Sequence, residues 1–217
     1  MNNINDKIQN AEYVKYGLAL YALFAPLALR IPELRNEKNN KSALEIEKKV
    51  KKTMGRYQVI IKLIEGEKKY LEKKDEDWGS VIALVDTKTK EPVVGIVAHP
   101  IKRLFYFGIK NWGAYVLGYD SNNTLILTNK MSVLPDLGYE KFSINQESNA
   151  LQAVRNRGSI FKNSGPEMAA VYVIINELGG KITDVKESNW TVKSNSVIVV
   201  RKREDWQDIK KIQISGH

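Results

Sequence analysis

Carboxylates at the borders of apolar segments are where this chain could do chemistry. Glu167 stands second in P-E-M-A-A-V-Y-V-I-I-N-E-L-G-G-K-I-T-D, residues Pro166 to Asp184. Local signals predict a helix there: Ser164 can cap, Pro166 suits a first turn, Ala169, Ala170, Val173 and Ile174 make one face, and Gly179 supplies a left-handed stop. An acid at such a helix start can serve a cation or a phosphate-bearing site. It is also an ordinary first-turn glutamate that suits the helix dipole. Glu65 and Glu67, in I-E-G-E, form a second acidic pair. There, an ion-ligating reading competes with a solvated surface, because Glu65 to Glu76 mixes both signs.

Other chemistries find little support. The chain has no cysteine, which excludes disulfides, thiol catalysis and thiolate metal sites and fits a cytoplasmic protein. Its two histidines are His99, at the end of an apolar strand beside Pro100, and His217 at the terminus. A histidine-rich metal site or a Ser-His-Asp triad has no basis in that pair.

The elements that must position the acids follow from alternation and breakers. Val81 to Val85, Val93 to Ala98, Leu104 to Ile109, Thr124 to Thr128 and Val197 to Val200 read as strands, with turns at Lys88 to Pro92 and Asp120 to Asn123. Lys181 to Thr183 starts a strand after Gly179, and Asp205 to Ile212 reads as a closing helix. Tyr16 to Leu29 is an uncharged apolar run too short to span a membrane, which takes about 20 residues. It reads as a helix buried in the protein or against a second copy, kinked or ended near Pro26. With 217 residues, 43% of them hydrophobic, the chain can bury one sizeable core and is expected to form a single domain, 1–217.

Charge is concentrated. Arg30 to Lys74 holds 14 Lys and Arg against 7 Glu, so most of the net +9 lies in that segment. Leu44, Ile46, Val50, Met54 and Ile61 predict one or two helices with a wet basic face, after a connector at Arg35 to Lys41. That face is either simply solvated or a surface that gathers phosphate-bearing partners. The aromatics Phe105, Tyr106 and Phe107 read as a core strand rather than a base-stacking platform, which argues against nucleic acid.

The Pro166 to Asp184 stretch resembles the C-terminal signature of the inositol monophosphatase-like superfamily, in which Trp-Asp-x-Ala-Ala opens a helix that ends in Glu-Ala-Gly-Gly before a Thr-Asp strand. Glu167 stands where that family has its aspartate. Ser80 to Pro100, Leu104 to Gly108 and Trp112-Gly113-Ala114 resemble the family's central antiparallel hairpin, the following strand and its Gly-Ala turn. Ala11 to Leu29 matches its first helix more loosely, and Ile64-Glu65-Gly66-Glu67 resembles part of its metal-binding Gly-Glu-Glu. The resemblance covers roughly residues 78–118 and 158–212.

It implies a layered α/β (α+β) fold with a mostly antiparallel central sheet between helices, in a shortened domain. It also implies a phosphomonoesterase of the inositol phosphate or nucleotide 3'-phosphate class, in which clustered carboxylates bind Mg²⁺. Glu67 and Glu167 are the metal-ligand candidates, and Glu67 the catalytic one. The family's Asp-Pro-Ile/Leu-Asp-Gly-Thr turn has no counterpart: Lys69 to Asp77, K-Y-L-E-K-K-D-E-D, has carboxylates but no glycine, proline or threonine. Two readings follow. One is a relative with lost or weak catalysis that binds a small phosphorylated metabolite or pairs with another copy; the other is an active Mg²⁺-dependent phosphatase.

Overall fold

The computed structural model describes residues 4–28, 41–64, 79–99, 103–122, 124–131, 158–162, 168–184, 186, 188–194, 196–200, 204 and 206–207. Its helices are α1 (Ile4–Ala28), α2 (Lys41–Thr53) and α3 (Met168–Glu177). The strands are β1 (Tyr57–Ile64), β2 (Gly79–Asp86), β3 (Pro92–His99), β4 (Leu104–Ile109), β5 (Gly113–Tyr119), β6 (Leu125–Lys130), β7 (Gly158–Lys162), β8 (Lys181–Thr183) and β9 (Ser196–Val200).

β1 to β6 form one antiparallel sheet in sequence order, and β7, β9 and β8 a second. The hairpin expected between Val81 and Ala98 is present, with Val81 opposite Val97 and Ile82 opposite Ile96. β2, β3 and β4 sit mid-sheet and are buried on both faces, which is why they read as nearly continuous apolar runs. Alternation sorts their side chains. Val81, Ala83, Val97 and Tyr106 face one core, with α3; Ile82, Leu84, Ile96, Phe105 and Phe107 face the other, with Leu20 and Phe24 of α1 and Val50 of α2. Ile182, Val197 and Val199 of the second sheet close over α3. The layers thus run α1 and α2, sheet, α3, sheet.

α3 is buried along its length from Met168 to Ile175, so the apolar face expected at Ala169, Ala170, Val173 and Ile174 is part of a helix wrapped on all sides. Its stop is the one expected: Gly179 has φ 79°, and the amides of Gly179 and Gly180 donate to the carbonyls of Asn176 and Ile175. Two glycines seat it. Gly95 and Gly108 lie opposite each other on β3 and β4, and a Cβ on Gly95 would stand 2.2 Å from the Ala170 carbonyl oxygen. Gly108 likewise faces the backbone of Ile174.

Three expectations need correction. Ile61 is not on a helix: α2 stops at Thr53, Gly55 turns the chain, and Ile61 lies in β1 opposite Ile82. The β-branched run Val59-Ile60-Ile61 finds pairing there that no helix would give it. Gly113-Ala114 begins strand β5 rather than merely turning, since Gly113, at φ 118°, opens a ladder with Ile109. The apolar run from Tyr16 belongs to a longer helix that starts at Ile4 and ends at Ala28, just beyond Pro26. Leu20 and Phe24 are buried in it, whereas Leu18 is 50% exposed. Of the closing helix expected over Asp205 to Ile212, only Trp206 and Gln207 are among the described residues.

Candidate functional site

Strand direction gives the sheet two unlike edges. One gathers Tyr57, Asp86, Pro92, Ile109, Gly113 and Lys130; the other gathers Ile64, Gly79, His99, Leu104, Tyr119 and Leu125. α3 runs between them. Its Ala170 lies at Gly95, its Ile174 at Gly108, and Glu177 accepts a hydrogen bond from the Asn111 amide at 2.7 Å, on the first edge. Because Gly95 and Gly108 are paired, α3 crosses from β3 to β4 and its end lies at the first edge; on the second edge β1 ends at Ile64 opposite Gly79.

The sequence candidates border that edge. Glu65 and Glu67 follow Ile64, and Glu167 precedes Met168. All three lie outside the described residues, as do Ser164 and Pro166. Of the elements that flank them, the end of β1 and the start of β2 are paired on the second edge.

The carboxylates of the described turns have other work. Asp86, fully buried, binds Arg56 at 2.6 Å and accepts the amides of Lys88 and Thr89. Burial pushes its carboxyl up, but the Lys88 amide, Arg56 and Thr89 more than offset this, and its pKa lies below the ordinary value. Glu91 pairs with Lys110 at 2.6 Å and faces the Tyr172 hydroxyl. Burial, helped by Glu91, pushes Tyr172 up to about 12, so it stays a neutral phenol. Asp120 accepts the amides of Asn122 and Thr124, and Asp184 those of Lys186 and Ser188. These acids tie turns. Asp86 and its partner Arg56 went unremarked in the sequence, where D-T-K-T-K after an apolar run was the available sign of an Asx turn.

Among the described residues, no group of three or more His, Cys, Asp or Glu side chains could hold a metal ion. Mg²⁺ prefers several hard oxygens in near-octahedral order. The acids just described are spent on amides and cations, so the described donor set does not fit it.

No protein-family model and no curated protein matches the sequence. Solved structures do. An inositol monophosphatase from Zymomonas mobilis superposes with TM-score 0.60 at 13% identity, over 99% of this chain and 100% of that one. The staphylococcal SaIMPase-II does so in a structure with inositol monophosphate bound, at TM-score 0.60 and 17% identity, over 91% of this chain and 92% of that one. In its structure with 2'AMP bound the values are 0.56 and 17%, over 91% and 93%. The fold is that of the inositol monophosphatases.

The resemblance carried by Ser80 to Gly113 and by Met168 to Asp184 thus holds at the level of architecture. In this inositol monophosphatase-like scaffold, no helix among the described residues is long and apolar enough to cross a membrane.

Proposed function

We propose that this chain is an inositol monophosphatase-like protein with lost or weak catalysis, one domain over 1–217, that acts in the cytoplasm by binding a small phosphorylated metabolite or by pairing with a second copy. One observation carries this reading: the connection from Ile64 to Gly79, the paired ends of β1 and β2, does not contain the Asp-Pro-Ile/Leu-Asp-Gly-Thr motif that the resembled enzymes carry before their hairpin. That turn brings two carboxylates to the ions and turns backbone amides toward phosphate. Acids remain from Lys69 to Asp77, but that stretch has no glycine, proline or threonine beside them, so they lack the partners that such chemistry needs.

A second reading is favoured by the carboxylates that leave the paired end of β1, at Glu65 and Glu67, and by Glu167 directly before α3. In it Glu67 and Glu167 ligate Mg²⁺, Glu67 orients the attacking water, and the protein is an active phosphatase. Glutamate is longer than aspartate by one methylene, so Glu167 would reach a displaced ion.

Phosphate release separates the two. Purified protein is assayed with inositol monophosphate, 3'-phosphoadenosine 5'-phosphate and 2'AMP, with and without Mg²⁺, beside Glu67→Ala and Glu167→Ala. The first reading expects turnover at or near background in every arm, with the ligands still detected by calorimetry or a mass in solution above that of one chain. Robust Mg²⁺-dependent turnover that either substitution abolishes would establish the second.

A further inference from the structure

The edge of the large sheet opposite the acidic candidates collects cations and an exposed aromatic stack. Lys51 and Lys52 end α2, where both are exposed. The β2–β3 turn lies against that end of the chain, because the Thr87 amide and hydroxyl both donate to the Arg56 carbonyl, at 3.1 and 2.6 Å. It adds the exposed Lys88 and Lys90. The neighbouring β4–β5 turn presents Trp112, 41% exposed, with its ring centroid 4.7 Å from that of Tyr115. The Tyr115 hydroxyl donates to the Trp112 carbonyl, which fixes the pair. Lys130 lies opposite Tyr115 on β6, with its Cε beside Gly113.

Two of the nearby acids are already paired: Asp86 is buried on Arg56, and Glu91 is taken by Lys110. Glu177, which accepts the Asn111 amide, and Glu12, close to Arg56 and Tyr57, keep their charge, and the exposed Lys51, Lys52, Lys88, Lys90 and Lys130 outnumber them. On the sheet the exposed cations run from the β2–β3 turn to Lys130 of β6, four strand spacings of about 4.8 Å, or about 19 Å.

We propose that this edge is a binding surface for single-stranded nucleic acid, with the lysines following the backbone and Trp112, backed by Tyr115, stacking a base. Two independent features call for the same ligand. A row of cations suits a chain of phosphates, and an exposed aromatic face suits an unpaired base; their combination is how proteins hold single strands without reading sequence. The run Phe105 to Phe107 argues against nucleic acid as a sequence because its aromatics belong to the core, and they are indeed buried. Trp112, by contrast, is exposed. A membrane surface would also attract lysines and tryptophan, but it favours a side chain that projects alone, whereas Trp112 is braced against the tilted ring of Tyr115. The inference does not rest on catalysis at the other edge, nor on its loss.

Fluorescence anisotropy with a labelled oligothymidylate tests it, using the full chain and a titration of salt. Binding is expected at low salt and should weaken steeply as salt rises. Trp112→Ala should weaken it about tenfold, the worth of one stacked base. Lys88→Glu with Lys90→Glu, and separately Lys51→Glu with Lys52→Glu, should weaken it and flatten the salt dependence, while Lys186→Glu should not. Circular dichroism confirms that each variant folds. Absence of binding at low salt overturns the proposal. So does binding that ignores both Trp112→Ala and the lysine pairs, and so does capture by anionic phosphatidylserine vesicles without binding of the oligonucleotide.

Discussion

Asp86 shows what a single buried charge can hold. Its carboxylate closes the β2–β3 turn through the Lys88 and Thr89 amides and ties that turn to Arg56, 30 residues earlier in the chain. Asp86→Ala leaves those donors unanswered and should cost about 2 to 3 kcal/mol in urea unfolding, the range for hydrogen bonds to a charged group. Asp86→Asn should cost less. The charge also sets a pH dependence. The folded-state pKa lies below the unfolded value, so the stabilisation is present at neutral pH and fades as pH falls below about 4. Unfolding midpoints measured between neutral and acid pH should fall more steeply for the native chain than for Asp86→Asn.

At the scale of elements, the seat of α3 is the sharpest constraint. A methyl on Gly95 meets backbone at 2.2 Å, with no flexible side chain to move aside, while one on Gly108 meets Ile174 at 3.0 Å. Gly95→Ala should therefore destabilise by about 3 kcal/mol or more, the upper end for overpacking, and Gly108→Ala by less. Gly179→Ala has open space but φ 79°, and should cost about 1 kcal/mol. Thermal denaturation of the three variants would rank them. These elements were also the legible ones. β2 to β4 announce themselves by apolar runs before Asp86, after Pro92 and before Asn111, and α3 by its glycine stop. β1 was read as helix because Val50, Met54 and Ile61 carry apolar spacing across the turn at Gly55, and only pairing with β2 decides otherwise. The acids Glu67 and Glu167 were found by motif, which gives identity and order but not the convergence of loops. The Trp112–Tyr115 stack was hidden because sequence does not reveal which aromatic a turn leaves outside.

For the whole molecule, two buried clusters on either side of one sheet make α1 part of the core rather than an appendage. Leu20 is fully buried against that sheet, whereas Leu18, two residues earlier, is half exposed. Leu20→Lys would bury an unpaired ammonium and should abolish folding, while Leu18→Lys should leave the circular dichroism spectrum unchanged. If α1 also joins two copies, Leu18→Lys should lower the mass measured in solution. The β1–β2 ladder carries a consequence of another kind. Eight facing residue pairs, from Tyr57 opposite Asp86 to Ile64 opposite Gly79, already fix its register. What joins the strands is thus free of that duty, and the entropy of closing it changes only slowly with its length. It behaves as an exchangeable cassette: chemistry at that edge can be gained, lost or swapped by rewriting one connection, while both cores and the glycine seat of α3 stay as they are.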